Sequence, residues 1–79
     1  MRIKLYDRGL PKGKKLYEDL KEVCKRLQIE FDPEYSKDMN KIYSQGATGQ
    51  TILTINNEIV LVDQYPDPKE LEKILTDYL

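Results

Sequence analysis

The sequence predicts an α/β domain: a mixed four-stranded sheet covered by helices, in the order β-α-β-α-β-β-α. Three observations carry that expectation. Residues 2–6 alternate apolar and polar at period two, and the next apolar run switches to helical spacing, as a β-α unit requires. Two β-branched runs flank Asn56-Asn57, a pair suited to the positive φ angles of a tight hairpin. The chain then closes on an amphipathic segment with its own start signal.

Each element follows from its residues. Arg2-Ile3-Lys4-Leu5-Tyr6 reads as the first strand, and Gly9, Pro11 and Gly13 break it into a loop. From Lys14 to Gln28 the apolar positions are Leu16, Leu20, Val23, Cys24 and Leu27, one face of a helix. Ile29 to Phe31 is expected to begin a second strand, ended by Asp32-Pro33. Ser36 is the expected cap of a second helix with Met39, Ile42 and Tyr43 on its inner face. Gly46-Ala47-Thr48-Gly49-Gln50 is a loop, and Thr51–Ile55 and Glu58–Val62 are the hairpin strands. Asp67-Pro68-Lys69-Glu70 combines a cap residue, proline at the first helical position and Glu at the third. Leu71, Ile74, Leu75 and Tyr78 continue that helix. A first β-α-β implies a parallel strand pair, and the hairpin adds antiparallel ones. A ferredoxin-like sandwich would be βαββαβ and end on a strand.

Composition narrows the chemistry. The chain has 79 residues, which fits one domain. One cysteine and no histidine exclude an internal disulfide framework, a zinc finger and Ser-His or Cys-His catalysis. Paired carboxylates such as Asp32/Glu34 and Glu70/Glu72 lie two apart, a spacing that on a helix points them to different faces. No metal, cofactor or acid–base pair is expected. No apolar run approaches a membrane span, and the first residues lack the apolar stretch of a signal peptide, so the cytoplasm is the expected location. Ten Lys and seven Glu against three Asn lean toward a heat-tolerant source.

The net charge of −1 is unevenly spread. Residues 1–28 carry nine basic and four acidic side chains, and residues 29–79 carry four basic and ten acidic. Within Arg8-Gly9-Leu10-Pro11-Lys12-Gly13-Lys14-Lys15 there are four cations and no anion. Acids are the stabilising choice at a helix start, so cations there call for an explanation. One is an anion docking on the backbone N–H groups; the other is a solvated basic loop that aids solubility. The segment is not a P-loop, because its glycine spacing differs and no Ser or Thr follows its Lys. Six tyrosines raise the question of base stacking, but they show no alternation with cations, and nucleic acid is not an expected partner. Tyr17, Tyr43 and Tyr78 are expected at the rim of the core with wet hydroxyls.

The ordered set resembles the small thioredoxin-like and glutaredoxin-like proteins, often described as redox-active disulfide proteins. It runs from Ile3-Lys4-Leu5-Tyr6, through a Gly-containing loop and a long helix, to Asp38-Met39-Asn40-Lys41-Ile42 before Gly46-Ala47-Thr48. The Asn56-Asn57 hairpin and Pro68-Lys69-Glu70-Leu71 to Leu75 complete it. The resemblance implies a minimal thioredoxin-like fold over nearly the whole chain. It also implies a Cys-x-x-Cys where this sequence has Leu10-Pro11-Lys12-Gly13, and a cis-proline where it has Thr51. Disulfide exchange needs an attacking thiolate and a resolving thiol, and neither position supplies sulfur.

The expectation is therefore a thioredoxin-like domain without the cysteine pair, acting as a binding module. Its expected surface is Leu10, Pro11, Lys12 and Gly13 facing Gln50 and Thr51, with Lys12, Lys14 and Lys15 supplying charge. Gln50 and Thr51 match the backbone along which such folds hold extended peptide, although a Gly-rich connector is also an ordinary turn. The expected partner is a protein or peptide in this groove. One alternative is a small anion or nucleotide at the helix start. Another is a thiol redox protein using Cys24, which requires an exposed thiol of lowered pKa. Its place between Leu20 and Leu27 instead predicts a core residue.

Overall fold

The computed structural model describes residues 1–30 and 32–79. Its elements are β1 (Ile3–Asp7), α1 (Pro11–Arg26), β2 (Glu34–Ser36), α2 (Met39–Tyr43), β3 (Thr51–Ile55), β4 (Glu58–Val62) and α3 (Pro68–Thr76). The expected order holds, and with it the minimal thioredoxin-like fold. The strands form one mixed sheet ordered β2-β1-β3-β4. β1 runs parallel to β2 and antiparallel to β3, pairing Leu5 with both Tyr35 and Leu53. β3 and β4 are antiparallel, with a bulge where Leu53 and Thr54 face Leu61 and Ile59.

The two faces of the sheet are covered unequally. Ile3, Leu5, Leu53 and Ile55 meet Leu16, Leu20, Val23 and Cys24 of α1 and Leu71 and Leu75 of α3 in the main core. On the opposite face Tyr6 and Ile52 meet Met39 and Ile42 of the much shorter α2, with Ala47 from the following loop. β3 is buried along its whole length, which is why its run carries apolar or β-branched residues at every position.

Local signals explain most boundaries. Asn56 and Asn57 take φ of 52° and 67°, the two left-handed residues of a type I′ turn. Asp67 Oδ1 accepts from the Glu70 amide at 2.9 Å, with Pro68 at the first helical position, as its cap sequence requires.

Four expectations are corrected. The first helix begins at Pro11, not Lys14, so Leu10-Pro11-Lys12-Gly13 is its N-cap and first turn rather than a loop. It ends at Arg26, not Gln28, in a Schellman motif: Ile29 N donates to Cys24 O at 3.0 Å and Gln28 N to Lys25 O at 3.1 Å. Gln28 fills the left-handed position, φ 57°, where glycine is the usual signal. That reversal tucks Ile29 against the core and delays the second strand to Glu34–Ser36, so Ile29 and Glu30 are not in it; Phe31, the end of the expected strand, lies outside the described residues. Ser36 consequently belongs to β2, and α2 follows Asp38 without a side-chain cap. The Ser36 hydroxyl still accepts from the Asp38 amide at 3.1 Å.

Candidate functional site at the start of the first helix

β1 delivers Asp7 to the point where α1 begins, and its carboxylate is fully buried. A charge removed from water must be hydrogen-bonded or neutralised, because burial without partners costs several kcal/mol. Asp7 has three donors: the Gly9 amide at 2.9 Å and the Tyr35 hydroxyl at 2.7 Å on Oδ2, and the Thr51 hydroxyl at 2.7 Å on Oδ1. Since Thr51 gives its only proton to Asp7, the Tyr65 hydroxyl, 2.7 Å from Thr51 Oγ1, is the donor in that contact. The chain Tyr65–Thr51–Asp7–Tyr35 joins the β4–α3 connection, β3, β1 and β2. Burial first, then the hydrogen bond to Asp7 and its charge, push the Tyr35 phenol up to about 12. Among the described residues no buried side-chain N or O atom lacks a partner.

This network also accounts for Gly13. A Cβ on Gly13 would overlap the Asp7 carboxyl group, so the first turn of α1 rests directly on that carboxylate. The turn has no acidic residue of its own and no side-chain cap. The negative charge that the helix start favours lies beneath it, in Asp7. A surface made only of cations is thereby tolerable without any external anion.

The remaining candidates separate into inner and outer sets. Gly13 and Thr51 are buried, Leu10 is half-buried, and Pro11, Lys12, Lys14, Lys15 and Gln50 are exposed. Lys12 Nζ stands 5.7 Å from the centroid of the Tyr65 ring, a cation–π contact, and Lys15 pairs with Asp19 at 3.1 Å one turn along. Arg8 reaches across to Tyr43, its Nε 3.2 Å from the hydroxyl and its guanidinium over the ring. Lys37, from the β2–α2 connection, packs its aliphatic stem toward Gly9, whose φ of 92° a side chain would strain. Arg8, Lys12, Lys14 and Lys37 carry no salt bridge among the described residues.

The backbone at Gln50 and Thr51 is already engaged. Both amides donate to Asp63 Oδ1, at 2.8 and 3.0 Å, while Gln50 O accepts from the Arg8 amide and Thr51 O from the Asp63 amide. An extended peptide cannot pair with groups that Asp63 and Arg8 occupy. Gln50 can contribute only its exposed side chain, and Thr51 belongs to the interior.

Cys24 lies away from this region, in the second half of α1, 3% exposed within the main core. Burial, with a smaller contribution from the charge of Asp32, pushes its thiol up from the ordinary value. The exposed, acidic thiol that redox use demands is not what the structure presents. Tyr17 and Tyr43 sit at the core rim as expected, and their hydroxyls donate to Pro33 O and Gly49 O.

The sequence reading missed Asp7, Tyr35, Asp63, Tyr65 and Lys37. An Asp two residues before Gly9 looks like turn chemistry, and tyrosines on separate elements carry no spacing that links them. The one available signal was an acid closing an otherwise alternating strand directly before a glycine-rich helix start.

No protein-family model matches the chain. It is 28% identical to a protein named thioredoxin from Methanothermobacter thermautotrophicus (strain Delta H), over 76 residues that span 96% of this chain and 99% of the relative. Sequence and fold thus agree: the chain is thioredoxin-like along nearly its whole length. With a single cysteine it holds no cysteine pair.

Proposed function

We propose that this protein is a non-catalytic thioredoxin-like domain that binds an acidic protein segment on the face around the start of α1. One observation carries the reading. Where the resemblance implies a reactive cysteine pair, a closed hydrogen-bond network fills the interior, while Arg8, Lys12, Lys14 and Lys37 stand around it at the surface with no salt bridge among the described residues. Half-buried Leu10 and exposed Pro11 add an apolar centre to this basic rim. The clefts on this face favour a protein segment over a small molecule. They measure about 200 Å³ beside Lys12 and Tyr65 and 330 Å³ beside Arg8 and Tyr43, at or below the low end of small-ligand sites. With the Gln50–Thr51 backbone occupied, recognition runs through side chains.

An amide NMR titration of labelled protein tests this. The probes are a peptide mixing Glu with apolar residues, inorganic phosphate, ATP and glutathione. The expected result is saturable shifts around residues 8–15, 37, 43 and 50 with the acidic peptide, weakened by salt and abolished by charge reversal at Arg8, Lys12 and Lys14. Equal or tighter binding of phosphate or ATP would replace this reading with the small-anion one. Silence with every probe would remove both. Turnover in a disulfide-reduction assay would refute the non-catalytic part.

A further inference from the structure

The opposite end of the sheet presents a second surface. β4 is the terminal strand, with a neighbour on one side only; its sequence, Glu58-Ile59-Val60-Leu61-Val62, carries no lysine or proline, and its protections against pairing are Glu58 at one end and the bulge at Val60. Among the described residues, three of the four exposed large hydrophobics lie on it or just beyond it: Ile59 (42% exposed), Val62 (39%) and Tyr65 (37%). By register Val62 faces Ile52 and Ile59 faces Thr54, so both stand on the sheet face that short α2 leaves partly open. On the other face, between β4 and α3, runs a cleft of about 510 Å³ floored by Leu61 and Ile74 and bordered by Tyr65, Asp67 and Glu70. Every charged residue on this cleft is an acid, and Glu58 and Asp63 stand at the ends of the strand.

We infer that β4 accepts a fifth strand from a partner protein, a segment alternating β-branched apolar residues with Lys or Arg. The alternation follows from the two faces. Side chains of an added strand point alternately to either side of the sheet. Those on the α2 side meet Ile59 and Val62 and must be apolar. Those on the α3 side enter the cleft, where a long cationic side chain lays its stem on Leu61 and Ile74 and brings its charge to Asp67 and Glu70. Main-chain hydrogen bonds along β4 supply affinity, and the two rows supply selectivity. A second copy fits poorly, because antiparallel pairing of β4 with itself sets Glu58 of each chain against the Val62–Asp63 end of the other, acid beside acid. This surface adjoins the basic face at Tyr65 and Asp67, which border clefts on both, but the β4 edge and its apolar row lie outside that face, and either assignment stands without the other.

The test is a titration of the labelled full chain with a short capped peptide alternating Val and Lys, and with the same peptide carrying Glu for Lys. The expected result is shifts at residues 58–63 and 67–74, slowed hydrogen exchange along β4, and at least tenfold preference for the Lys peptide. Removing charge with Glu58→Gln, Asp67→Asn and Glu70→Gln together is expected to weaken binding about tenfold. Because Asp67 also caps α3, Glu58→Gln with Glu70→Gln alone serves as the second variant, with a smaller loss expected. Ile59→Lys and Val62→Lys, at exposed positions, are expected to abolish binding while leaving the remaining amide spectrum intact. No shift on β4, or equal binding of the Glu peptide, overturns the proposal. Concentration-dependent shifts of β4 without peptide overturn it in favour of self-association.

Discussion

The start of α1 and the β4 edge are contrasting solutions within one small sheet. At the α1 start the interior is polar and closed: one buried carboxylate, three donors and a glycine shaped to fit over it, with cations spread outside. At the β4 edge the underlying core is apolar, the surface charges are acidic, and the strand ends the sheet. The difference teaches where each surface gets its specificity. The first is held rigid from within by hydrogen bonds that any substitution leaves unsatisfied. The second offers an unpaired edge and two rows of side chains, and substitutions there cost little stability.

The largest expected effect is at Gly13. Gly13→Ala drives a methyl group into the Asp7 carboxyl, and the overlap is expected to cost about 3 kcal/mol, well beyond an ordinary helix substitution. Urea denaturation measures it. Combining Gly13→Ala with Asp7→Ala should be less destabilising than the sum of the two, since the overlap disappears. Additivity would show that the first turn does not rest on Asp7.

Asp7→Ala alone comes next, at about 2 kcal/mol, because Gly9 N–H, Tyr35 O–H and Thr51 O–H all lose their acceptor. Tyr35→Phe removes one donor and is expected to cost about 1 kcal/mol. It carries a sharper signature in pH. The folded Tyr35 phenol titrates above its unfolded value, so its contribution to stability is fully present below about pH 10 and is lost as pH rises toward about 12. The wild type should lose stability through that window more steeply than Tyr35→Phe. Parallel curves would break the link between Tyr35 and the buried carboxylate.

Cys24 separates core from site. Native protein should react with a thiol reagent far more slowly than denatured protein, and Cys24→Ala should cost about 1 kcal/mol through the small cavity it leaves. Rapid native labelling would return Cys24 to the list of functional candidates. The smallest effect runs the other way. Gln28→Gly relieves a left-handed residue in the Schellman motif and is expected to stabilise by about 1 kcal/mol, read as a raised thermal midpoint.

Much of the fold was legible because its signals are local. The Asn56-Asn57 turn, the Asp67 cap and the apolar spacing from Leu16 to Leu27 each lie within a few turns of chain. The second strand was placed too early for the same reason, since only a glycine would have announced the reversal that Gln28 makes. Of the candidate site, the basic run from Arg8 to Lys15 and the missing cysteine pair were plain in the residues. Lys37 and Tyr43 joined that run only because β2 and α2 pack beside Gly9 and Arg8.

The sequence by itself determined the order of elements, the hairpin, the lack of a cysteine pair and the core placement of Cys24, because periodicity, turn chemistry and counting act within short windows. Only the tertiary structure decided that Asp7 is buried under Gly13, that Thr51 and Tyr65 continue its network, and that Asp63 occupies the backbone at Gln50 and Thr51. Those partners come from separate strands and connections. A buried charge selects its donors by where the sheet brings them, which no local pattern encodes.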